Sequence, residues 1–343
     1  MKLAVVLFNL GGPDSLDAVE PFLRNLFSDP AILPLPGVLR WPLARLIAGR
    51  RAPIAREIYA KIGGSSPIVS ETQAQARALD KLLAERGVEA KSFIAMRCWH
   101  PFSDGAAAAV KAWGADRIVL LPLYPQFSTT TTASSFKDWD RAAKKAGLTA
   151  PSVRMGCYPD HKDFIAAESA LIHDAFKRRR SDVDYRLLLS AHGLPKRTIL
   201  KGDPYQWQVE RTAKAVVDAL GIERLDWSVC YQSRVGPLEW IGPATDFEIR
   251  RAGADGKGVV IAPIAFVSEH SETLVELDIE YAHLAQQAGV PDYLRVPAVG
   301  THPGFIAALA DLVMRAAAAH STIGGATGGL CPPNFSGCVC RGA

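Results

Sequence analysis

Three features of this sequence carry side chains that could do chemistry together. The first is S-E-H-S-E-T-L-V-E-L-D-I-E-Y at residues 268–281. On a 3.6-residue period Glu272, Glu276 and Glu280 share one helix face, and Leu274, Leu277 and Tyr281 the other. Like charges at i, i+4 repel by roughly a few tenths of a kcal/mol per pair. No Lys or Arg lies between 258 and 294 to relieve them. A solvated acidic face is the plain reading of such a helix. Here, however, Glu269, His270 and Glu272 follow directly on a β-branched run at 259–267, the strand-end position where α/β proteins place their sites. A ladder of carboxylates leading to an imidazole suits a divalent cation, so the stretch is read as a metal path.

The second feature is His192, in S-A-H-G-L-P at 190–195, after a buried-strand pattern and before a glycine. A lone His is usually structural. Paired with Glu269, His270 and Glu272 at the equivalent strand end, it completes an imidazole and carboxylate set suited to Fe(II) or Zn(II). The same pair makes a base that works near neutral pH. The third feature is a cysteine trio, Cys331-x6-Cys338-x-Cys340, in a chain whose other cysteines (Cys98, Cys157, Cys230) are scattered singly. In a reducing compartment such a trio points to a metal or cluster site rather than disulfides. Cys98 and Cys230 follow strand-like runs and are expected to be core thiols.

The elements that position these residues alternate. Strands are expected over 2–10, 91–96, 117–123, 185–189, 226–230 and 259–267. Helices are expected from 14 or 15 towards 27, then over 53–62, 71–86, 104–113, 206–220 and 303–319, with a further helix starting in the hydroxyl run 129–135. The two halves pair strand end for strand end. N-L-G-G-P answers to A-H-G-L-P, M-R-C-W-H-P to Y-Q-S-R-V-G-P, and L-P-L-Y-P-Q-F-S to A-P-I-A-F-V-S. This predicts an α/β fold of two similar doubly wound, Rossmann-like parallel-sheet lobes with a cleft between their strand ends. The expected division is 1–155, 156–320 and a Cys-rich tail at 321–343, with helix 303–319 closing the second lobe and the glycines of 324–329 leading into the tail.

Residues 33–51 are apolar, interrupted by proline and studded with Arg40, Arg45, Arg50 and Arg51. A core helix–turn–helix and an exposed lip for a membrane surface or an amphiphilic anion are both compatible with this pattern. No apolar run is long enough to span a bilayer, and the N-terminus lacks a signal-peptide pattern, so a cytoplasmic protein is expected. The net charge of +4 is too small to argue for nucleic acid, the basic run 177–180 is expected to be a solvated helix end, and G-G-P is not a nucleotide fingerprint.

The motifs resemble those of the ferrochelatase family. S-A-H-G-L-P and S-E-H-S-E-T-L-V-E-L-D-I-E-Y are similar to its two signature segments. N-L-G-G-P at 9–13, I-G-G-S-S-P at 62–67, L-Y-P-Q-F-S at 123–128, G-D-P-Y at 202–205 and V-G-P-L-E-W-I-G-P at 235–243 extend the likeness over nearly the whole chain. The resemblance implies insertion of Fe(2+) into protoporphyrin IX, with porphyrin and ferrous iron as substrates and no nucleotide cofactor. It implies His192 and Glu272 as catalytic and metal-facing residues, His270 and Glu269 beside them, and Glu276 and Glu280 as an acidic path. Porphyrin contacts fall on Tyr59, Ser66, Arg97 and Trp240, with Arg50 and Arg51 at the pocket edge. Residues 33–51 correspond to the family's lip, favouring ligand and peripheral membrane contact at the inner membrane face. Some members hold a [2Fe–2S] cluster on three C-terminal cysteines and one internal one, here Cys331, Cys338, Cys340 and Cys157; zinc on the same thiolates is the alternative. A homodimer is compatible with such a chain. Coproporphyrin as substrate, a related cobalt or nickel chelatase, a haem or metal carrier and an electron-transfer protein are the rival readings.

Overall fold

The computed structural model describes residues 1–234, 236, 238–319 and 331–340. The glycine-rich stretch 324–329 lies outside the described residues, as do Val235 and Pro237 of the motif at 235–243.

Leu3–Asn9 (β1) is L-A-V-V-L-F-N with every residue buried. A run apolar on both faces belongs inside a parallel sheet. β1 accordingly lies between Ala90–Met96 (β2) and Arg117–Pro122 (β3), with Ser152–Arg154 (β4) at the edge. Tyr185–His192 (β5) takes the same place between Asp226–Gln232 (β6) and Gly258–Pro263 (β7), with Tyr293–Arg295 (β8) outermost. The orders β2-β1-β3-β4 and β6-β5-β7-β8 are one topology built twice, all parallel. The strand correspondence expected from the internal repeat is therefore present.

The first sheet is accompanied by Val19–Phe27 (α1), Gly37–Ala60 (α2), Ile68–Glu85 (α3), Ser103–Trp113 (α4) and Thr132–Ala146 (α5). Then follow Lys162–Lys177 (α6), Lys196–Leu200 (α7), Tyr205–Leu220 (α8), Thr245–Ala254 (α9), Tyr281–Gln287 (α10) and Pro303–Ala318 (α11). A π-helix, Glu272–Glu280, leads into α10.

Four expectations are corrected. α11 does not close the second lobe: it packs on α3, β3, β4 and α6, and α6 takes the place beside α8 and β7. Phe305, Ile306, Leu309, Leu312 and Val313 of α11 are all buried. A helix apolar around so much of its circumference needs cover on several sides, and the seam between the sheets supplies it. One core accordingly runs from Leu7 and Leu121 to Leu189 and Ala262.

The strand expected to reach 267 ends at Pro263. Proline has no N–H to continue a ladder, and residues 264–270 form an irregular loop.

Residues 37–60 form one continuous helix through Pro42 and Pro53, not two. Both prolines lie on the exposed side, so the carbonyls they leave unbonded face solvent. Ala44, Ala48 and Ala52 make the buried stripe.

The acidic helix is π-helical, so its faces do not follow a 3.6 period. Thr273, Val275 and Leu277 are the buried positions, Leu274 is only partly buried, and Tyr281 turns its hydroxyl to Glu276.

Gln75 of α3 joins the halves above the site. Its amide donates to the carbonyls of Val267 (2.7 Å) and Gly300 (3.1 Å), and its oxygen accepts from Ser268. Among the described residues no helix is long and apolar enough to cross a membrane.

Candidate active site

β5 and β7 flank the switch point of the second sheet, the position where open α/β sheets bind ligands. His192 is the last residue of β5 and Glu272 opens the π-helix beyond β7. Nδ1 of His192 lies 2.8 Å from Oε2 of Glu272. Nε2 of His270 stands 3.9 Å from the same oxygen, and its Nδ1 is 3.1 Å from the carbonyl oxygen of Ser268. Burial acts to lower the pKa of His192, but the carboxylates of Glu272 and Glu276 overcome it and leave the value raised. Burial likewise acts to raise Glu272, and the imidazoles of His192 and His270 hold it well below the usual carboxylate range. The two side chains therefore pull each other's pKa values apart, His192 up and Glu272 down.

Glu276 differs. Its carboxylate accepts from Ser233 N–H (2.8 Å), Ser233 Oγ (2.5 Å), Tyr281 hydroxyl (2.9 Å) and Gln232 Nε2 (3.1 Å). Burial and the neighbouring charge of Glu272 still raise its pKa, against those donors. Two carboxylates one π-turn apart thus have pKa values pushed in opposite directions.

Sequence reading missed the residues that build this cradle. Gln232 sits in register beside His192 at the end of β6. Its Oε1 accepts from Ser190, so its amide nitrogen donates to the Glu272 carbonyl (2.9 Å) and to Glu276. Ser233 holds φ +62°, the left-handed region that a non-glycine residue adopts at a cost. The available signal was position: Gln232 and Ser233 end a strand as His192 does. Gly193 is required for closeness, because a Cβ there would meet the Gln232 carbonyl oxygen at 2.9 Å and the Trp240 ring at 3.4 Å. Arg295 on β8 was also missed. It pairs with Glu269 (2.5 Å) and bidentately with Asp278 (2.6 Å), tying the loop before the π-helix to its middle.

The other expected residues divide. Trp240 packs over Gly193, and Tyr59, buried at the end of α2, accepts from Ser271 Oγ at 3.5 Å. Burial pushes the Tyr59 phenol up to about 12. Ser66 lies against Gly12. Glu269 faces Arg295 and the Ala298 N–H, not His192. Glu280 is half exposed, 3.8 Å from Lys61, so the residue that follows α2 supplies a cation the local sequence lacks. Arg97 is committed to Asp29 (2.8 Å) and Ser134 (2.7 Å). Arg50 and Arg51 are exposed on α2, where Val38 and Trp41 are also 81% and 65% exposed.

Cys157 beyond β4 meets Cys331, Cys338 and Cys340 in one buried cluster. Among the described residues no three His, Cys, Asp or Glu side chains surround a common point as ligands of a single ion; the sulfurs instead touch, with Cys338 Sγ 3.0 Å from Cys331 Sγ. Interactions with the Cys157 and Cys338 sulfurs bring the Cys340 thiol down to about 5, while the three tail sulfurs, and after them burial, push the Cys157 thiol well up. The tail docks by Gly337 N–H donating to the Gly202 carbonyl at 3.0 Å. Gly202 has φ +88° and no room for a Cβ beside Ser336. Cys98 and Cys230 are buried elsewhere, with thiols raised by burial to about 12.

Comparison with solved structures supports the fold. The chain superposes on SirB from Bacillus subtilis with Fe3+ at TM-score 0.53 and 14% identity, over 93% of this chain and 96% of that one. The sirohydrochlorin chelatase SirB of Bacillus subtilis subspecies spizizenii in complex with cobalt gives 0.53 at 13% identity, over 92% and 96%. Ferrochelatase of Caulobacter vibrioides is 55% identical over 99% of this chain and 98% of its own length. Ferrochelatase of Pelagibacter ubique is 50% identical over 92% and 91%. The profile of the family Ferrochelatase matches residues 2–317, and the chain belongs to the ferrochelatase family.

Proposed function

We propose that the protein inserts ferrous iron into protoporphyrin IX to form protohaem, with His192 and Glu272 facing the incoming metal and the departing pyrrole protons. The 2.8 Å pair at the second sheet's strand ends carries this reading. Iron enters the ring only as two pyrrole protons leave, so the site must take protons as well as hold a cation. With Nδ1 of His192 turned to Glu272, Nε2 is the ring nitrogen left to bond iron or accept a proton. Glu272, held ionised, steadies the imidazolium; Glu276, with its raised pKa, accepts a proton more readily. Glu280, beyond it at the surface, opens the ladder to solvent for ions or protons.

A flat apolar macrocycle with anionic propionates needs an apolar slot edged by cations and hydroxyls. Tyr59, Ser66 and Trp240 are assigned to the slot, and Arg50 and Arg51 to its edge. Arg97, braced by Asp29, acts on the pocket wall. Holding the ring buckled would expose nitrogen lone pairs before iron arrives. The exposed Val38, Leu39 and Trp41 with the neighbouring arginines of α2 fit peripheral contact with an anionic membrane surface at its cytoplasmic face.

Cys157, Cys331, Cys338 and Cys340 would hold a [2Fe–2S] cluster. Cys157 and the three tail cysteines converge, with the Gln208 amide aimed at sulfur, which fits a thiolate-ligated group. Bound there, the cluster would supply a one-electron centre and pin the tail to Cys157, just beyond β4.

The test is anaerobic mixing of protein, ferrous iron and protoporphyrin, following the change from free-base to metalloporphyrin absorption. Wild-type rates in both His192→Ala and Glu272→Ala would overturn the site assignment.

A further inference from the structure

Gln208 of α8 is fully buried, where the tail, Cys157 and the Phe127 backbone meet. Its Oε1 accepts from the N–H of Phe127 at 2.7 Å, which settles which end of the amide is which. Both protons of Nε2 are therefore available to sulfur, with Cys331 Sγ at 3.0 Å and Cys157 Sγ at 3.4 Å. A neutral thiol is a weak acceptor; an anionic sulfur makes a charge-assisted bond of roughly twice the strength. We infer that Gln208 is a positioning residue for the iron–sulfur group, donating to the ligand sulfurs of Cys157 and Cys331 and raising the group's reduction potential. This rests on the cluster reading above. Donors to ligand sulfur draw off negative charge and so favour the reduced, more negative state. One turn on, Thr212 accepts from Gln126 and donates to the Pro159 carbonyl, so α8 is anchored here independently of Gln208.

Two variants test it, read by iron and sulfide content, visible absorption and the midpoint potential. Gln208→Glu keeps the side chain's shape and its bond to Phe127 but turns an anionic oxygen towards the sulfurs. It is expected to lose most of the bound iron and sulfide at neutral pH while far-UV circular dichroism stays unchanged. Gln208→Leu keeps the volume without donors. It is expected to load, with a more negative midpoint corresponding to about a tenfold fall in the equilibrium constant for reduction. If Gln208 merely braces Phe127, Gln208→Glu will match wild type in content and midpoint, and the inference fails. Should Gln208→Glu not fold, the Gln208→Leu midpoint decides, and an unshifted value overturns the inference. Wild-type protein without iron, sulfide or visible bands sensitive to Cys340→Ser overturns the cluster reading and this role together. A wild-type cluster beside unaffected Gln208 variants overturns this role alone.

Discussion

His192 and Glu272 stand 80 residues apart in sequence, yet Nδ1 of one lies 2.8 Å from Oε2 of the other. The parallel pairing of β5 with β7 puts both at one sheet edge, and the early stop at Pro263 leaves the loop length that lets Glu272 turn back.

If this pair serves the departing protons, His192→Ala and Glu272→Ala each lower kcat by about 10²–10⁴, the usual range for a positioned acid or base. The anaerobic porphyrin absorbance assay measures it. A fall confined to KM would assign the pair to binding alone.

The pH profile should follow the charge coupling. His192 is raised by the carboxylates around it, so it stays protonated, and unable to accept a proton, to higher pH than a free imidazole. Glu272→Gln removes the nearest negative charge and lowers that pKa. The acid limb of kcat/KM then moves to lower pH, although the maximum rate falls. An unmoved limb would show that His192 is not the group titrating in it.

Arg295 braces the π-helix from outside. Arg295→Lys keeps the charge but loses the bidentate fork to Asp278, and Arg295→Ala leaves Glu269 and Asp278, both partly buried, without their partner. Partial exposure screens the loss, so about 1–3 kcal/mol is expected for Ala, less than the figure for a fully buried pair. Thermal unfolding reads this, and iron insertion should fall in both variants.

Glu168 on α6 is buried, and its carboxylate has no hydrogen-bond partner among the described residues. Burial raises its pKa from 4.5 to about 8. Between those values the folded state holds a proton the unfolded state has lost, so stability falls as pH rises, by at most about 1.4 kcal/mol per pH unit. Glu168→Gln should remove this slope. Melting temperatures from pH 5 to 8 should diverge, with the variant increasingly the more stable; parallel curves would place the ionised carboxylate in contact with water.

The apolar lip predicts its own readout. Val38→Ser with Trp41→Ser should reduce cosedimentation with anionic vesicles several-fold, and added salt should weaken wild-type binding. Equal binding by both proteins would remove the membrane role from α2.

Much of this was legible in the residues themselves. The apolar runs within β1 and β5 and the matched strand ends announced two parallel sheets of one topology, because a strand buried on both faces has nowhere else to go. His192, Glu272 and the tail cysteines were visible because imidazole, carboxylate and thiolate are scarce at strand ends and chain ends without a reason. Periodicity could not show that Glu272–Glu280 winds as a π-helix, that Lys61 and Arg295 supply its missing cations, or that α11 crosses to the first sheet. Nor could it find Gln208 and Gln232, whose amides gain meaning only from what faces them. Local sequence determines which elements form and which faces are greasy; partners far along the chain are chosen when those faces pack and each buried polar group must find a mate.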